Sequence, residues 1–318
     1  MSPSAAGRRD VWDPADRGAV RARLRADMRR RSVLGPRQRS ALDGLVHALK
    51  PDSMGRPHPE RHLLAYDLGS TLRPPAAAVA VGEPEAATHL TWQVSGMGIH
   101  VHTAMWGSVR EAAQLWAAQR DAGAERPCVV AWLGYQPPGP WGALSGRSAL
   151  RGGARLARHL EGWSDSQHRL GGPRPHTALE AHSYGTVVAA RALQILRRRE
   201  PPVELDALVV SGPVGLPREL AGDPSLLGLG AGQVFLAQAG SDYVSRAGLW
   251  LSRRRPWYGF TRLDVGPDDS RGLAGSRGHN TSRHRPDSGL FGRGFGYRDI
   301  GTASLHRIAR ATTGLPLT

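Results

Sequence analysis

The pentapeptide Ala181-His182-Ser183-Tyr184-Gly185 decides how the rest of this chain is interpreted. Residues 177–180 before it favour a short strand, and residues 186–193 after it favour a helix whose first turn carries small side chains. A serine between a strand and a helix, with small residues two positions away on each side, is typical of a sharp turn that presents a nucleophile. The turn strains the serine backbone and directs the N–H groups of the following helix toward developing negative charge. The pattern therefore predicts a nucleophilic Ser183, and the alternative is a serine that only caps the helix.

The composition fits a chain with a large apolar core. With 318 residues and 40% hydrophobic side chains, the chain suits one large α/β domain or two small ones. No apolar run is long enough to predict a membrane span, and residues 1–9 lead into charged residues instead of an apolar segment. We therefore expect no simple signal peptide and a cytoplasmic location. Cys128 is the only cysteine, which argues against a disulfide within the chain and against a cysteine-based zinc site.

The net charge is +15, and nearly all of the positive charge is arginine because Lys50 is the only lysine. Such a charge permits binding to nucleic acid or to anionic surfaces. However, alanine, glycine, proline and arginine are frequent in every segment of the chain, which indicates a coding bias. We therefore expect that nucleic acid is not the partner.

Residues 1–60 predict an Arg-rich helical extension that precedes the main domain at 61–318. Its first helix has Val20, Leu24 and Met28 on one face, with arginines around the rest. The arginine face is more typical of a solvated surface than of a docking site, although an acidic partner remains an alternative.

From residue 61 onward, apolar strands alternate with helices, and we expect eight strands. The first two, at 63–67 and 76–81, are close enough in sequence to pair as a hairpin. The alternation that follows predicts a mostly parallel sheet flanked by helices, with Ser183 after the fifth strand, where such sheets bind ligands. The other strands are expected near residues 89–94, 129–133, 177–180, 205–210, 234–237 and 260–265.

Five stretches, in this order, resemble the α/β-hydrolase superfamily, whose members carry a nucleophilic serine turn after the fifth strand. The stretches are residues 63–67, 94–98, 129–135, 181–185 and 301–305. The similarity narrows to an uncharacterised serine-hydrolase-like group catalogued as domain of unknown function 1023. The resemblance implies an α/β-hydrolase fold and hydrolysis of a small-molecule ester or acyl substrate by a Ser-acid-His triad. We expect no cofactor.

The superfamily layout implies that the acid follows the seventh strand. That strand runs into Gly240-Ser241-Asp242, so Asp242 is the expected acid. A carboxylate there would orient the imidazole and stabilise the imidazolium. An aspartate that only makes a turn is the alternative, and Asp268 and Asp269 are weaker candidates because they follow the eighth strand.

The histidine should follow the eighth strand, which leaves His279, His284 and His306. His279 is preferred because its Gly-rich loop can reach back to Ser183, whereas His306 lies inside the last predicted helix and is expected to be structural. The related group would carry a histidine just before the tyrosine near the final helix, where this chain has Gly294-Phe295-Gly296-Tyr297. Without any catalytic histidine, the chain would be an impaired hydrolase that serves as a binding or scaffold protein.

Two backbone N–H groups are expected to form the oxyanion hole, one at Tyr184 and one at Met97 in the Gly-rich loop after the third strand. A glycine turn without a chemical role is the alternative for this loop. The residues expected to line the substrate pocket are Gly96, Gly98, His182, Tyr135 and Trp141. His100 and His102 lack carboxylate partners, so we expect no metal site.

Overall fold

The structure is a computed structural model. It describes residues 17–50, 59–70, 73–139, 141–220, 223–252, 254, 256–257, 259–282 and 294–317. Within these ranges the strands are β1 (Arg61–Asp67), β2 (Ala76–Val81), β3 (His89–Val94), β4 (Pro127–Leu133), β5 (His176–His182), β6 (Ala207–Ser211), β7 (Val234–Ala237) and β8 (Thr261–Leu263). The helices are α1 (Arg17–Arg29), α2 (Pro36–Ala48), α3 (Val101–Asp121), α4 (Gly142–Ser145), α5 (Arg147–Leu170), α6 (Gly185–Leu196), α7 (Tyr243–Leu251) and α8 (Ala303–Thr313).

All eight described strands form one sheet, in the order β1-β2-β4-β3-β5-β6-β7-β8. β2 pairs antiparallel with β1 and with β4. Every other neighbouring pair is parallel. The expected hairpin and the expected eight-stranded, mostly parallel sheet of an α/β-hydrolase fold are therefore confirmed. β5 lies in the middle of the sheet, between β3 and β6, so the residues that follow it are surrounded by other strand ends.

Helices cover both faces of the sheet, which explains why a central strand such as β4 is apolar along its whole length. In β4, Cys128, Val130 and Trp132 belong to the core beneath α5 and α6. Val129, Ala131 and Leu133 alternate with them and belong to the core beneath α2, α3 and α8. The side chains of a strand alternate between its faces, so each strand contributes to two cores at once.

The N-terminal helices pack on the second of these cores, where Val20 and Leu24 of α1 are buried as predicted. Met28 was expected on the same face, but 46% of its side chain is exposed. Asp27 takes the inward position and accepts a 2.7 Å hydrogen bond from the Tyr66 hydroxyl. The polar partner on β1 therefore selects which residue of the last turn faces inward, and the prediction for Met28 is wrong. The division of the chain at residue 60 stays a prediction.

α7 was not expected from the sequence. It begins directly after Asp242, whose side chain accepts a hydrogen bond from the backbone N–H of Ser245. Tyr243 and Trp250 are 71% and 79% exposed, so the apolar residues of this segment do not form a single buried stripe. Among the described residues, no helix has both the length and the apolar character needed to cross a bilayer.

Candidate active site

Ser183 lies at a sharp turn between β5 and α6. Its φ angle is +53°, in the left-handed region that side chains other than glycine rarely adopt, and such a residue costs about 1–3 kcal/mol. The turn is held by a 3.0 Å hydrogen bond from the Ser183 N–H to the carbonyl of Ser211. A Cβ atom on Gly185 would lie 2.6 Å from the Val94 carbonyl oxygen, so only glycine fits two positions after the serine. The predicted strain and the need for a small neighbour are both present.

The loop after β3 passes directly against the serine. A Cβ atom on Gly96 would lie 2.8 Å from the Cβ of Ser183, so this approach also requires glycine. The next residue, Met97, is 37% exposed. Neither the Met97 N–H nor the Tyr184 N–H has a backbone acceptor among the residues that the structure describes. Tyr184 follows Ser183 in the chain and Met97 follows Gly96, which approaches Ser183, and the role of their N–H groups as oxyanion donors stays a prediction.

His279 lies between Ser183 and Asp242. Its Nε2 is 2.7 Å from the Ser183 Oγ, and its Nδ1 is 2.9 Å and 3.0 Å from the two carboxylate oxygens of Asp242. Because a carboxylate only accepts hydrogen bonds, Nδ1 carries the proton and Nε2 is left to accept from the serine hydroxyl. The structure thus brings together the three residues that the sequence favoured as nucleophile, base and acid.

The Asp242 carboxylate is completely buried. Besides His279, it accepts a 2.9 Å hydrogen bond from the Ser245 N–H at the start of α7 and another of 2.9 Å from the Tyr297 hydroxyl. Hydrogen bonds from a helix N-terminus and from neutral donors favour a negatively charged group. The buried carboxylate therefore has a hydrogen-bond partner on each of its oxygens.

The His279 loop is held by backbone hydrogen bonds to a neighbouring segment. The Tyr297 N–H donates to the Asn280 carbonyl at 3.1 Å, and the Arg298 N–H donates to the Thr281 carbonyl at 2.7 Å. On its other side, the Gly278 N–H donates to the Ser241 Oγ at 3.0 Å. These contacts explain how a Gly-rich loop holds an imidazole in one place.

The other candidate histidines have different surroundings. His284 lies outside the described residues. His306 lies within α8, as expected. His182 is 7% exposed, and its ring centroid lies 4.8 Å from that of His279. Burial, reinforced by the nearby His279 and Arg298, lowers the pKa of His182 well below its usual value, so this imidazole stays neutral.

A buried ion-pair network beneath the site was not predicted. The Arg298 guanidinium donates to Glu180 on β5 and, at 2.7 Å, to Glu111 on α3. Burial alone would lower the pKa of Arg298, but the two carboxylates raise it, so the guanidinium stays charged. The sequence signal for this network was Glu180, a carboxylate in the middle of a strand that is otherwise uncharged or titratable only at histidine. Its partner is 118 positions away.

The residues expected to line the pocket differ in exposure. Tyr135 is only 7% exposed, and its hydroxyl donates to the Ser95 carbonyl at 2.9 Å, next to Gly96. Trp141 is 85% exposed. His182 contacts His279 from inside the protein, while Gly98 follows Met97 with a φ of +78°. Their contacts with a substrate stay predictions.

The described residues contain no group of three or more histidine, cysteine or acidic side chains that could hold a metal ion. His100 and His102 lie side by side, with ring centroids 5.2 Å apart. The lack of a carboxylate partner, noted in the sequence, still argues against these two rings as metal ligands.

Comparison with known proteins gives a family and several solved structures to which this chain is similar. Curated proteins yield no match. One solved structure, a thermostable esterase from Pseudomonas putida ECU1011, has 13% identity, 98% coverage of both chains and a TM-score of 0.41. Dienelactone hydrolase from Anabaena variabilis ATCC 29413 has 16% identity over 61% of this chain and 80% of that chain, with a TM-score of 0.33. An arylesterase has 14% identity and a TM-score of 0.35. The match covers 64% of this chain and 60% of the arylesterase. A family model described as alpha/beta hydrolase matches residues 73–250, more than half of the chain, and the protein therefore belongs to the alpha/beta hydrolase family.

Proposed function

We propose that this alpha/beta hydrolase cleaves carboxylic esters of small molecules, with Ser183 as nucleophile, His279 as general base and Asp242 as the acid that orients it. The proposal is supported chiefly by the 2.7 Å contact between the His279 Nε2 and the Ser183 Oγ. The carboxylate on the opposite ring nitrogen, at 2.9 Å, supports the same assignment because it stabilises the imidazolium that forms when the serine loses its proton. We further propose that the chain falls in the serine-hydrolase-like group known as domain of unknown function 1023.

The reaction follows from these contacts in two halves. As the Ser183 Oγ attacks the ester carbonyl carbon, the His279 Nε2 takes the hydroxyl proton, and the N–H groups of Met97 and Tyr184 donate to the new oxyanion. When the tetrahedral intermediate collapses, the bond to the alcohol breaks and His279 gives the proton to the leaving oxygen. Water then attacks the acyl-enzyme, loses a proton to His279, and releases the carboxylic acid as Ser183 regains its hydrogen.

A catalytically impaired scaffold protein is the alternative, and it has less support. It was suggested by the missing histidine before Tyr297, whereas His279 lies within hydrogen-bond distance of Ser183. The buried pair of His279 and Asp242, at 6% and 0% exposure, also fits a catalytic role better than a docking surface.

Labelling with a fluorophosphonate probe tests the proposal. We expect one adduct on Ser183, identified by peptide mass, and no adduct in Ser183→Ala. Turnover of short-chain 4-nitrophenyl esters should be lost in the same variant. Folded wild-type protein that gives no adduct on Ser183 would refute the enzyme assignment.

A further inference from the structure

Tyr297 occupies the segment in which the related group was expected to carry a histidine. Its side chain is fully buried. The hydroxyl oxygen accepts a 2.9 Å hydrogen bond from the Ala239 N–H and lies 2.9 Å from the Asp242 Oδ2. Since the amide already donates into the oxygen, the hydroxyl hydrogen is free to point toward the carboxylate. Tyr297 is therefore a donor to the proposed acid.

We propose that Tyr297 is a positioning residue for the hydrolysis, because its phenol O–H holds the Asp242 carboxylate in the orientation that aims His279 at Ser183. This inference rests on the proposed function and adds a fourth residue to it. The Tyr297 hydroxyl has hydrogen bonds to the Ala239 N–H and to Asp242, and none to Ser183, so we expect the loss of this hydroxyl to act on the reaction through Asp242.

The hydrogen bonds around Asp242 explain why the phenol matters. The Ser245 N–H holds Oδ1, and the Tyr297 hydroxyl holds Oδ2, while the His279 Nδ1 lies about equally far from both oxygens. One anchor on each oxygen fixes the rotation of the carboxylate about its Cβ–Cγ bond. Without the phenol, the hydrogen bond that Oδ2 shares with Oδ1, from the His279 Nδ1–H, would be its remaining one. Because Asp242 is completely buried, solvent would not replace the lost donor.

Tyr297 also connects two members of the proposed triad. Its side chain contacts Asp242, and its backbone N–H donates to Asn280, which follows His279. The same residue therefore fixes the acid and the loop that carries the base. A shift of this segment would move both partners of the Asp242–His279 contact together.

The phenol remains a donor under all assay conditions. Burial, reinforced by the charge of Asp242, raises the pKa of Tyr297 far above its usual value. The titratable groups that face it are Asp242 from the loop after β7 and His182 from β5, whose ring centroid is 5.8 Å away. His279 is the next titratable group beyond the carboxylate.

Tyr66 provides a matched control. Its hydroxyl donates to the Asp27 carboxylate at 2.7 Å, and both side chains are buried. This pair joins α1 to β1 at the edge of the sheet, whereas β5 lies at its centre. Tyr66→Phe thus removes the same kind of hydrogen bond without touching Asp242 or His279.

We expect Tyr297→Phe to fold and to lose roughly tenfold to a hundredfold in kcat, which corresponds to the loss of one hydrogen bond to a charged acceptor, with little change in KM. Without the phenol, more of the carboxylate charge faces the imidazole and favours its protonated form, so the acid limb of the pH profile should move to higher pH. Tyr66→Phe should keep the wild-type kcat and pH profile.

Asp242→Asn separates positioning from general packing. If Tyr297 acts through the carboxylate, adding Tyr297→Phe to Asp242→Asn should remove little further activity, because the two changes break one interaction. If the double variant loses the full factor again, or if Tyr297→Phe keeps wild-type kcat and pH profile, the positioning role is overturned.

A measurement without substrate keeps the two proposals distinguishable. The His279 Nδ1 proton should give a low-field proton NMR resonance that disappears in His279→Gln. We expect this resonance to shift in Tyr297→Phe and to stay in place in Tyr66→Phe. An unchanged resonance in Tyr297→Phe would refute the role of the phenol, whether or not Ser183 reacts with a fluorophosphonate. If the resonance shifts but Ser183 is not labelled, the proposed hydrolysis alone is refuted.

Discussion

Two histidines lie in ring contact at the centre of this molecule, yet their surroundings suit them to different tasks. His182 and His279 have ring centroids 4.8 Å apart and exposures of 7% and 6%. The His279 Nδ1 donates to a carboxylate, whereas the His182 Nδ1 lies 3.2 Å from the Ser211 Oγ. Because the Ser211 hydroxyl donates to Glu180, its oxygen can only accept from His182.

The difference lies in what each ring can do when it gains a proton. His279 has a carboxylate on one side and the serine hydroxyl on the other, which is the arrangement that proton transfer from a serine requires. His182 has a neutral hydroxyl oxygen as its side-chain partner, and burial lowers its pKa well below the usual value. His182 adjoins the nucleophile in sequence, but its partners fit it for packing, and those of His279 fit it for proton transfer.

Among the variants that test this difference between the two histidines, the replacement of His279 should have the largest effect on activity. We expect His279→Gln to lower kcat by roughly four to six orders of magnitude, since Ser183 then has no base. Turnover of 4-nitrophenyl butyrate measures this loss. The matched control is His284→Gln, which should keep wild-type activity. If His284→Gln loses activity and His279→Gln keeps it, the base is His284.

Removing the Asp242 carboxylate should leave His279, like His182, with a neutral side-chain partner on Nδ1. Asp242→Asn keeps the size of the side chain and an acceptor for Ser245, but it removes the charge that selects the tautomer. We expect kcat to fall by about 10⁴-fold, as assayed with the same ester. A variant within tenfold of wild type would mean that the carboxylate makes only a turn, which was the alternative interpretation of Asp242.

Replacing His182 should affect stability more than chemistry. In the folded protein the pKa of His182 is lowered, so below about pH 6.5 only the unfolded chain takes up its proton, and stability falls as the pH falls. One such group contributes at most about 1.4 kcal/mol per pH unit to this slope. The free energy of unfolding, measured with urea at pH values between about 5 and about 7, should therefore change less with pH in His182→Gln than in wild type. Equal slopes would show that His182 is protonated in the folded state.

Much of the central architecture follows from the sequence because it depends on local patterns. The small residues around Ser183 indicate the turn, and the eight apolar segments indicate the strands. Asp242 and His279 were singled out by the resemblance to the α/β-hydrolase superfamily, whose layout implies an acid after the seventh strand and a histidine after the eighth. The structure then brings both to within hydrogen-bond distance of one another.

Other features could not be predicted because they depend on contacts between distant segments. Tyr297 meets Asp242 across 55 positions, and no local pattern marks a tyrosine as the partner of a buried carboxylate. The same holds for Arg298, whose partners lie on α3 and β5. At the N-terminus, Asp27 faces inward in place of Met28 because Tyr66 offers a hydrogen bond that helical periodicity does not reveal.

The rate at which a fluorophosphonate labels Ser183, compared between wild type and His279→Gln, tests most directly whether His279 activates the serine. The reagent needs no particular substrate pocket chemistry, so the ratio reports on the 2.7 Å contact itself. We predict rapid labelling of wild type and a loss of at least roughly a thousandfold in the variant, with both proteins equally folded. Equal labelling rates would contradict the account, because Ser183 would then react without the help of His279.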